Sequence, residues 1–383
     1  MKNIGLFILG SLLIPILKII YLFFKFKFSH LHTTRIGHQT INFDAALLSV
    51  KKDTLIFFSY DKKIANEFIF SFLKKQKNIF FIKIFKYIFF SIDHVNPNSN
   101  LIISEKDYQP KFTYHLKYRS RIEMPFYSKD KINEILLEYK MNQKYVGLYS
   151  RNNKYLKKYV TNDKNFHDYR DFNFEDYSLA IKYLNNHNNS VVKLGETFLD
   201  EETESYEGKI FTSLDFNNDK EMDYFINVHS RYNVFCNTGA SGLSEVLRKK
   251  TVYVNLIPFS WHKLSYCAPE SILLPKKIFD LEKKRFLSFR EILAVDVDIH
   301  NVSDPFLMQN LKYINNTPEE ILNAIVEMEE RLSGNQKKEK FIKFNDLFWD
   351  SLNKNNEKKV NHLKNQLKLS ISTQFLEDNQ DLL

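Results

Sequence analysis

Short apolar runs alternate with amphipathic stretches along most of this chain, the rhythm of strands that each feed a helix. Phe28–Thr33 predicts a strand leading into Thr34-Arg35-Ile36-Gly37-His38 and a helix from about Asn42 to Val50. Asp53–Ser59 is a second strand, continuously apolar as in a parallel sheet covered on both faces. A helix near Lys63–Lys77, strands at Ile79–Ile84 and Leu101–Ser104, and a helix over Met124–Tyr139 complete this first series. Phe80–Ile92 is too uniformly apolar to divide.

The second series is clearer. Strand Tyr145–Tyr149 precedes an asparagine-rich loop from Arg151 to Asn173, and a helix carrying Tyr177, Ile181 and Leu184 on one face starts with Asn173 as N-cap. Ser190–Leu194, Lys209–Ser213, helix Lys220–His229, strand Tyr232–Cys236, helix Ser241–Arg248 and strand Thr251–Leu256 continue the alternation. Thr317-Pro318-Glu319-Glu320 reads as N-cap, first-turn proline and capping-box glutamate, and Gly334 ends that helix. Two blocks of βα units predict an α/β chain with two Rossmann-like, doubly wound domains. The expected boundaries are a hydrophobic segment 1–28, domains 29–140 and 141–352, and a polar helix with a loose tail 353–383.

The N-terminus changes this picture. Ile4–Leu17 is almost entirely apolar but broken by Pro15, Lys18 interrupts before Ile19–Phe24, and Lys25-Phe-Lys27 follows. The run is short for a spanning helix, Lys18 would be costly at mid-bilayer, and no Ala-x-Ala cleavage site follows. An interfacial anchor with snorkelling lysines is the preferred reading, beside a spanning helix or a buried helix of the first domain.

Composition adds less. The net charge of +9 is spread in lysine runs such as Lys74-Lys75-Gln-Lys77, which suit a solvated face, an anionic membrane surface or an anionic substrate. The 35 Phe and 21 Tyr against nine Gly suggest an AT-rich genome as much as any special function, so no nucleic-acid partner is expected. Cys236 and Cys267 have no metal-ligand spacing and imply a reducing compartment.

The most informative stretch is Thr238-Gly239-Ala240-Ser241-Gly242, where a strand feeds a helix through small residues. Orphan N–H groups, hydroxyls and the positive helix end there suit a phosphate, although a tight turn with no ligand has the same letters. Arg35-Gly37-His38, Arg151 and this turn all follow predicted strands directly, the edge where α/β sheets bind ligands.

Together these segments resemble the glycosyltransferases of bacterial surface-polysaccharide and O-antigen gene clusters. The resemblance runs from about Thr34 to Phe289 through Arg35-Ile36-Gly37-His38, Val146-Gly-Leu-Tyr-Ser-Arg151, Tyr169-Arg170-Asp171, Tyr177–Leu184, Val192-Lys193-Leu194-Gly195 and the Thr238–Gly242 turn with Asn255 and Pro258. It departs from the family at Asp171, where Asn is expected, at Lys193, where Arg is expected, and at Lys250 and Thr251, where Gly and Pro often stand. Asp171 is expected to pair with Arg170 or to cap the following helix.

The resemblance implies a two-domain GT-B enzyme whose C-terminal domain holds a nucleotide-diphosphate sugar and whose N-terminal domain holds the acceptor. Arg151 would grip the leaving diphosphate together with Thr238, Gly239, Ala240, Ser241 and Gly242. Glu245 would accept from the ribose hydroxyls, or serve only as a first-turn acid. His38 is the candidate general base of an inverting transfer, or a structural histidine, with Arg35 and Gly37 beside it on the acceptor side.

His229, His262 and His300 read as surface or core histidines, and Asp296-Val-Asp298 as a loop feature. No metal and no cofactor beyond the co-substrate is expected. The partners would be the donor, a glycan or lipid-linked glycan acceptor and the cytoplasmic face of the inner membrane. A sugar-nucleotide epimerase or hydrolase on the same scaffold, or a non-catalytic membrane-associated assembly protein, are the alternatives.

Overall fold

The computed structural model describes residues 2–104, 120–151, 168–196, 208–295, 310–335, 338–353 and 356–383. The chain divides into two compact units, Met1–Phe126 and Tyr127–Leu383. The division thus falls ahead of 140, because the helix Lys129–Glu138, capped by the Ser128 hydroxyl, belongs to the second unit.

In the first unit β1 (Phe26–Leu31), β2 (Leu55–Tyr60), β3 (Ile79–Phe81) and β4 (Ile102–Ile103) form a parallel sheet in the order β3-β2-β1-β4. The undivided run Phe80–Ile92 is the end of β3 followed by a helix, Phe85–Val95, that turns Phe89 and Ile92 inward and leaves Tyr87 and Phe90 exposed. A strand and a helix that both bury an apolar face merge into one apolar string.

The N-terminal segment is a helix, Lys2–Phe23, built into this unit. Its Ile14 joins Phe26, Phe28, Phe89, Ile92, Leu101 and Ile102 in one core cluster, with Leu17 and Tyr21 packed against it. Among the described residues no helix is long and apolar enough to cross a membrane. Burial of side chains such as Ile14 and Phe26 contributes about 1.5–3 kcal/mol each to this unit's core. The helix still exposes an apolar outer face at Leu12, Ile16, Ile19, Leu22 and Phe23.

The second unit contains β5 (Lys144–Tyr149), β6 (Asn189–Lys193), β7 (Ile210–Phe211), β8 (Tyr232–Phe235), β9 (Thr251–Leu256) and β10 (Ile272–Pro275). A small antiparallel sheet of β11 (Lys277–Asp280), β12 (Arg285–Phe286) and β13 (Leu311–Ile314) follows, and β14 (Ser370–Ile371) lies near the end. The main sheet is parallel throughout, in the order β14-β10-β9-β8-β5-β6-β7. Every residue of β8 and β9 is buried, as expected of strands covered on both faces.

At Gly147, in the middle of β5, a Cβ would stand 2.6 Å from Asn233 Oδ1 and 2.7 Å from Leu194 Cδ1, so the close approach of β8 requires glycine. The Thr317 capping box forms both of its bonds, and Gly334 closes that helix with φ of 75°. The Asn173 side chain makes no cap, because the segment opens with a 3-10 turn over Phe174–Tyr177 before the helix Ser178–Asn186. Residues 356–383 are no loose tail. They add β14 to the sheet and bury Ile371, Phe375 and Leu376.

Candidate functional site

In the second unit the strand order reverses between β5 and β8. β6 and β7 lie to one side of β5, while β9, β10 and β14 lie beyond β8. Tyr149 at the end of β5 pairs with Phe235 at the end of β8. Arg151 and the Thr238 turn therefore leave neighbouring strands at the topological switch, where a parallel sheet opens a crevice at its carboxyl edge.

Arg151 is buried, 7% exposed, and its Nη1 pairs with Asp171 Oδ1. Asp171 thus serves Arg151 rather than Arg170, and it caps no helix. Lys276, 3% exposed, reaches into the same place from the end of β10 and donates to the Tyr169 carbonyl at 2.8 Å and the Asp171 carbonyl at 3.2 Å. Burial lowers its ammonium to about 8, against opposing pulls from Cys236, Asp171 and Asp176.

Arg170 joins them. Burial lowers its pKa, Arg151 adds repulsion, and its buried Nε has no hydrogen-bond partner among the described residues. The Cys236 thiol beneath is pushed up to about 11 by burial, so it is no nucleophile. Arg151, Arg170 and Lys276 thus crowd around Asp171, with Asp176 near Lys276. Three cations beside the two carboxylates of Asp171, which pairs with Arg151, and Asp176 leave a surplus of positive charge at a sheet edge, a place for an anion.

The Thr238–Gly242 turn is built differently from the open N–H cradle that its letters suggest. Ala240 N–H bonds Thr238 Oγ1 at 3.4 Å, Ser241 N–H bonds the Thr238 carbonyl at 3.3 Å, and Gly242 N–H turns to the Gly239 carbonyl. The Ser241 hydroxyl is buried and lies 2.7 Å from the Thr238 carbonyl and 2.9 Å from Glu245 Oε1. Gly239 is the exposed residue of the turn. The turn closes on itself because its donors find carbonyls within a 3-10 arc.

Glu245 is 1% exposed, and its Oε1 holds Lys263 Nζ at 2.9 Å with Tyr253 OH at 3.4 Å. Burial works against the Lys263 charge, but Glu245 and Cys267 outweigh it and raise the ammonium above its usual range. In this structure the carboxylate belongs to a buried ion pair under the turn.

In the first unit the residues after β1 make a second polar group. Gly37 has φ of −58° and ψ of −38°, ordinary right-handed geometry, so its backbone needs no glycine. His38 begins a π-helical turn, His38–Asn42, and its ring lies 5.7 Å from that of His32. Arg35 is half-buried, and its carbonyl accepts from Gln39 N–H at 3.2 Å. His30, His32 and Asp61 gather beside them with ligand atoms within 4.8 Å of one another, a grouping capable of holding a metal.

His229 Nε2 accepts from Tyr127 N–H at 3.4 Å, and His262 lies 3.0 Å from Tyr266 OH, both structural contacts. Asp296, Asp298 and His300 lie outside the described residues.

Sequence reasoning misses Lys276 and the His30–Asp61 group. Lys276 has one usable signal, a lysine directly after the apolar run Ile272–Pro275.

No protein-family profile matches the chain, and no curated protein is similar to it by sequence. Among solved structures the chain is similar to a glycosyl transferase family 9 protein from Veillonella parvula, with a TM-score of 0.43, 9% identity, and 66% of this chain and 87% of that one covered. A second is the dodecameric iron-containing heptosyltransferase TibC in complex with ADP-D-beta-D-heptose, with a TM-score of 0.33, 12% identity and coverage of 60% and 57%. A third is S. aureus MnaA with UDP, with a TM-score of 0.27, 7% identity and coverage of 60% and 79%. All three scores fall below one half, so a functional assignment rests on the site's own residues.

Proposed function

We propose that this protein is a glycosyltransferase of GT-B type that takes a sugar from a nucleotide-diphosphate donor held at the switch between β5 and β8. The observation that supports it is the cation cluster of Arg151, Arg170 and Lys276 around Asp171, buried at the carboxyl edge of a parallel sheet. A diphosphate carries the charge and the acceptor oxygens that such a cluster lacks. As the glycosidic bond breaks, charge grows on the leaving phosphate, and fixed buried cations stabilise that state more than the ground state.

Side chains meet that charge in place of a divalent ion, and the exposed Gly239 edge of the turn lets the phosphate approach the backbone. His38 acts as the base that takes the acceptor proton, which gives an inverting transfer. The acceptor is a lipid-linked surface glycan. The outward apolar face of the helix Lys2–Phe23, with Lys18 and Lys25 beside it, favours work on the cytoplasmic face of the inner membrane, lying on it rather than crossing it.

A thermal-shift panel of UDP-, GDP-, CDP- and TDP-sugars tests the donor reading, with and without a chelator, on the parent, Arg151→Ala and Lys276→Met. One nucleotide class at about a hundredfold over its Kd should add about 2.7 kcal/mol, a rise of about 5–10 °C for a unit of this size. The rise should survive chelation and vanish in both variants, each compared with its own unliganded midpoint. A parent that responds to no nucleotide sugar would refute the proposal.

A further inference from the structure

β1 and β2 run in parallel register, with His30 opposite Ser59 and Leu31 opposite Tyr60. His32 and Asp61 follow at the ends of these two strands, and the His30 and His32 rings stand edge to face at 4.7 Å. We propose that His30, His32 and Asp61 form a binding site for a divalent first-row transition ion, Zn2+ foremost, with one coordination position open to solvent. The site lies in the first unit and stands apart from the donor reading.

The tautomer of His30 is the first argument. Its Nδ1 lies 2.9 Å from Ser59 Oγ, and the Ser59 hydroxyl donates to the Ser29 carbonyl at 3.3 Å. Where Ser59 keeps that bond it accepts from Nδ1–H, and Nε2 then presents a lone pair. It faces Asp61 Oδ1 at 3.3 Å. In that tautomer neither atom donates to the other, and a cation fits between them. An imidazole tied from behind through its N–H, with the other nitrogen facing outward, is how proteins orient a metal-binding histidine.

Spacing is the second. Ligand atoms on a tetrahedral ion with bonds of about 2.0–2.1 Å stand about 3.3 Å apart, the separation of His30 Nε2 and Asp61 Oδ1. His32 Nδ1 lies 3.6 Å from Asp61 Oδ2, and its half-exposed ring has room to turn inward. Thr33 N–H holds Asp61 Oδ2 at 2.9 Å, which leaves Oδ1 directed at the site.

Two imidazoles and one carboxylate suit zinc, iron, cobalt or manganese better than magnesium or calcium. The exposure of His32 leaves the remaining position to water or to an oxygen of a bound molecule.

The test uses the untagged full chain, stripped with a chelator, dialysed, and titrated with Zn2+ and in parallel with Co2+. Elemental analysis should find one equivalent retained, Zn2+ should raise the melting temperature, and Co2+ should give the intense visible bands of a tetrahedral site. His32→Ala, which removes a half-exposed ring, should weaken the affinity by about 10–100-fold or more, and Asp61→Asn should do the same. Affinity should also fall as pH drops through the histidine range. Substoichiometric metal in the parent, a melting temperature indifferent to Zn2+ (a proton alone between His30 and Asp61), or unchanged affinity in a folded His32→Ala protein would each overturn the proposal.

Discussion

Replacing Glu245 with Gln is expected to destabilise the second unit by about 3–5 kcal/mol, the usual cost of leaving one member of a buried ion pair alone. Glu245 and Lys263 are 1% and 4% exposed, and their charged atoms lie 2.9 Å apart. At an effective dielectric of about 20 their attraction is about 6 kcal/mol, of which relaxation recovers a part. What remains near the ammonium is weak, the faces of Tyr253 and Tyr266 at 5.5 and 6.0 Å. The melting temperature should fall by about 10 °C, read by calorimetry beside a urea titration. Lys263→Met alone should cost a similar amount, because it strands the carboxylate. The double variant Glu245→Gln/Lys263→Met should recover most of the loss, since no charge is then buried unpaired. A single Glu245→Gln protein within about 1 kcal/mol of the parent, or a double variant whose loss equals the sum of the singles, would refute the reasoning.

Two further outcomes follow from the same sheet. Lys276 has its ammonium lowered to about 8, against 10.5 in the unfolded chain. Between those values the unfolded chain holds a proton that the native one has released, so stability should rise with pH across that window. Donor-induced stabilisation should fall over the same window as the cation is lost; measured from about pH 7 to about pH 10, Lys276→Met should flatten that profile and lessen the slope of the stability profile, to which Lys249, lowered to about 8, also contributes. Gly147→Ala places a Cβ against Asn233 Oδ1, the atom that accepts from the Ser230 hydroxyl at 2.9 Å. It should cost about 2–4 kcal/mol through overpacking and a loosened buried amide; a urea midpoint equal to the parent's would show that β5 and β8 move apart freely.

Local chemistry is what a single sequence displays best. The capping box at Thr317 and Glu320 is complete within four residues, so it is legible without any tertiary context. The fully buried β8 and β9 announce themselves as mostly apolar runs, with Asn233 and Asn255 inside them, bounded by polar turns. Phe80–Ile92 is opaque because a strand and a half-buried helix share one composition. The two-residue β14 has no periodicity to detect and exists because β10 offers it an edge.

The candidate site divides in the same way. Arg151 and the Thr238 turn are visible because each follows its strand directly, and the reversal of strand order brings them together. Lys276 hides in a Lys-Lys pair that reads as solvated. His30 and Asp61 are separated by 31 positions and meet through parallel register alone. The self-closed turn and the buried Glu245 were beyond reach, since a free N–H and an internally bonded one have identical letters.

The N-terminal helix has a practical bearing on how the protein is handled at the bench. Its outer residues invite truncation as a route to better solubility, yet Ile14, Leu17 and Tyr21 form one wall of the first unit's core. Cutting the helix away would uncover Phe26 and Phe28 and replace one sticky surface with another. Polar substitutions confined to Leu12, Ile16 and Leu22 leave that wall in place while removing the outward grease.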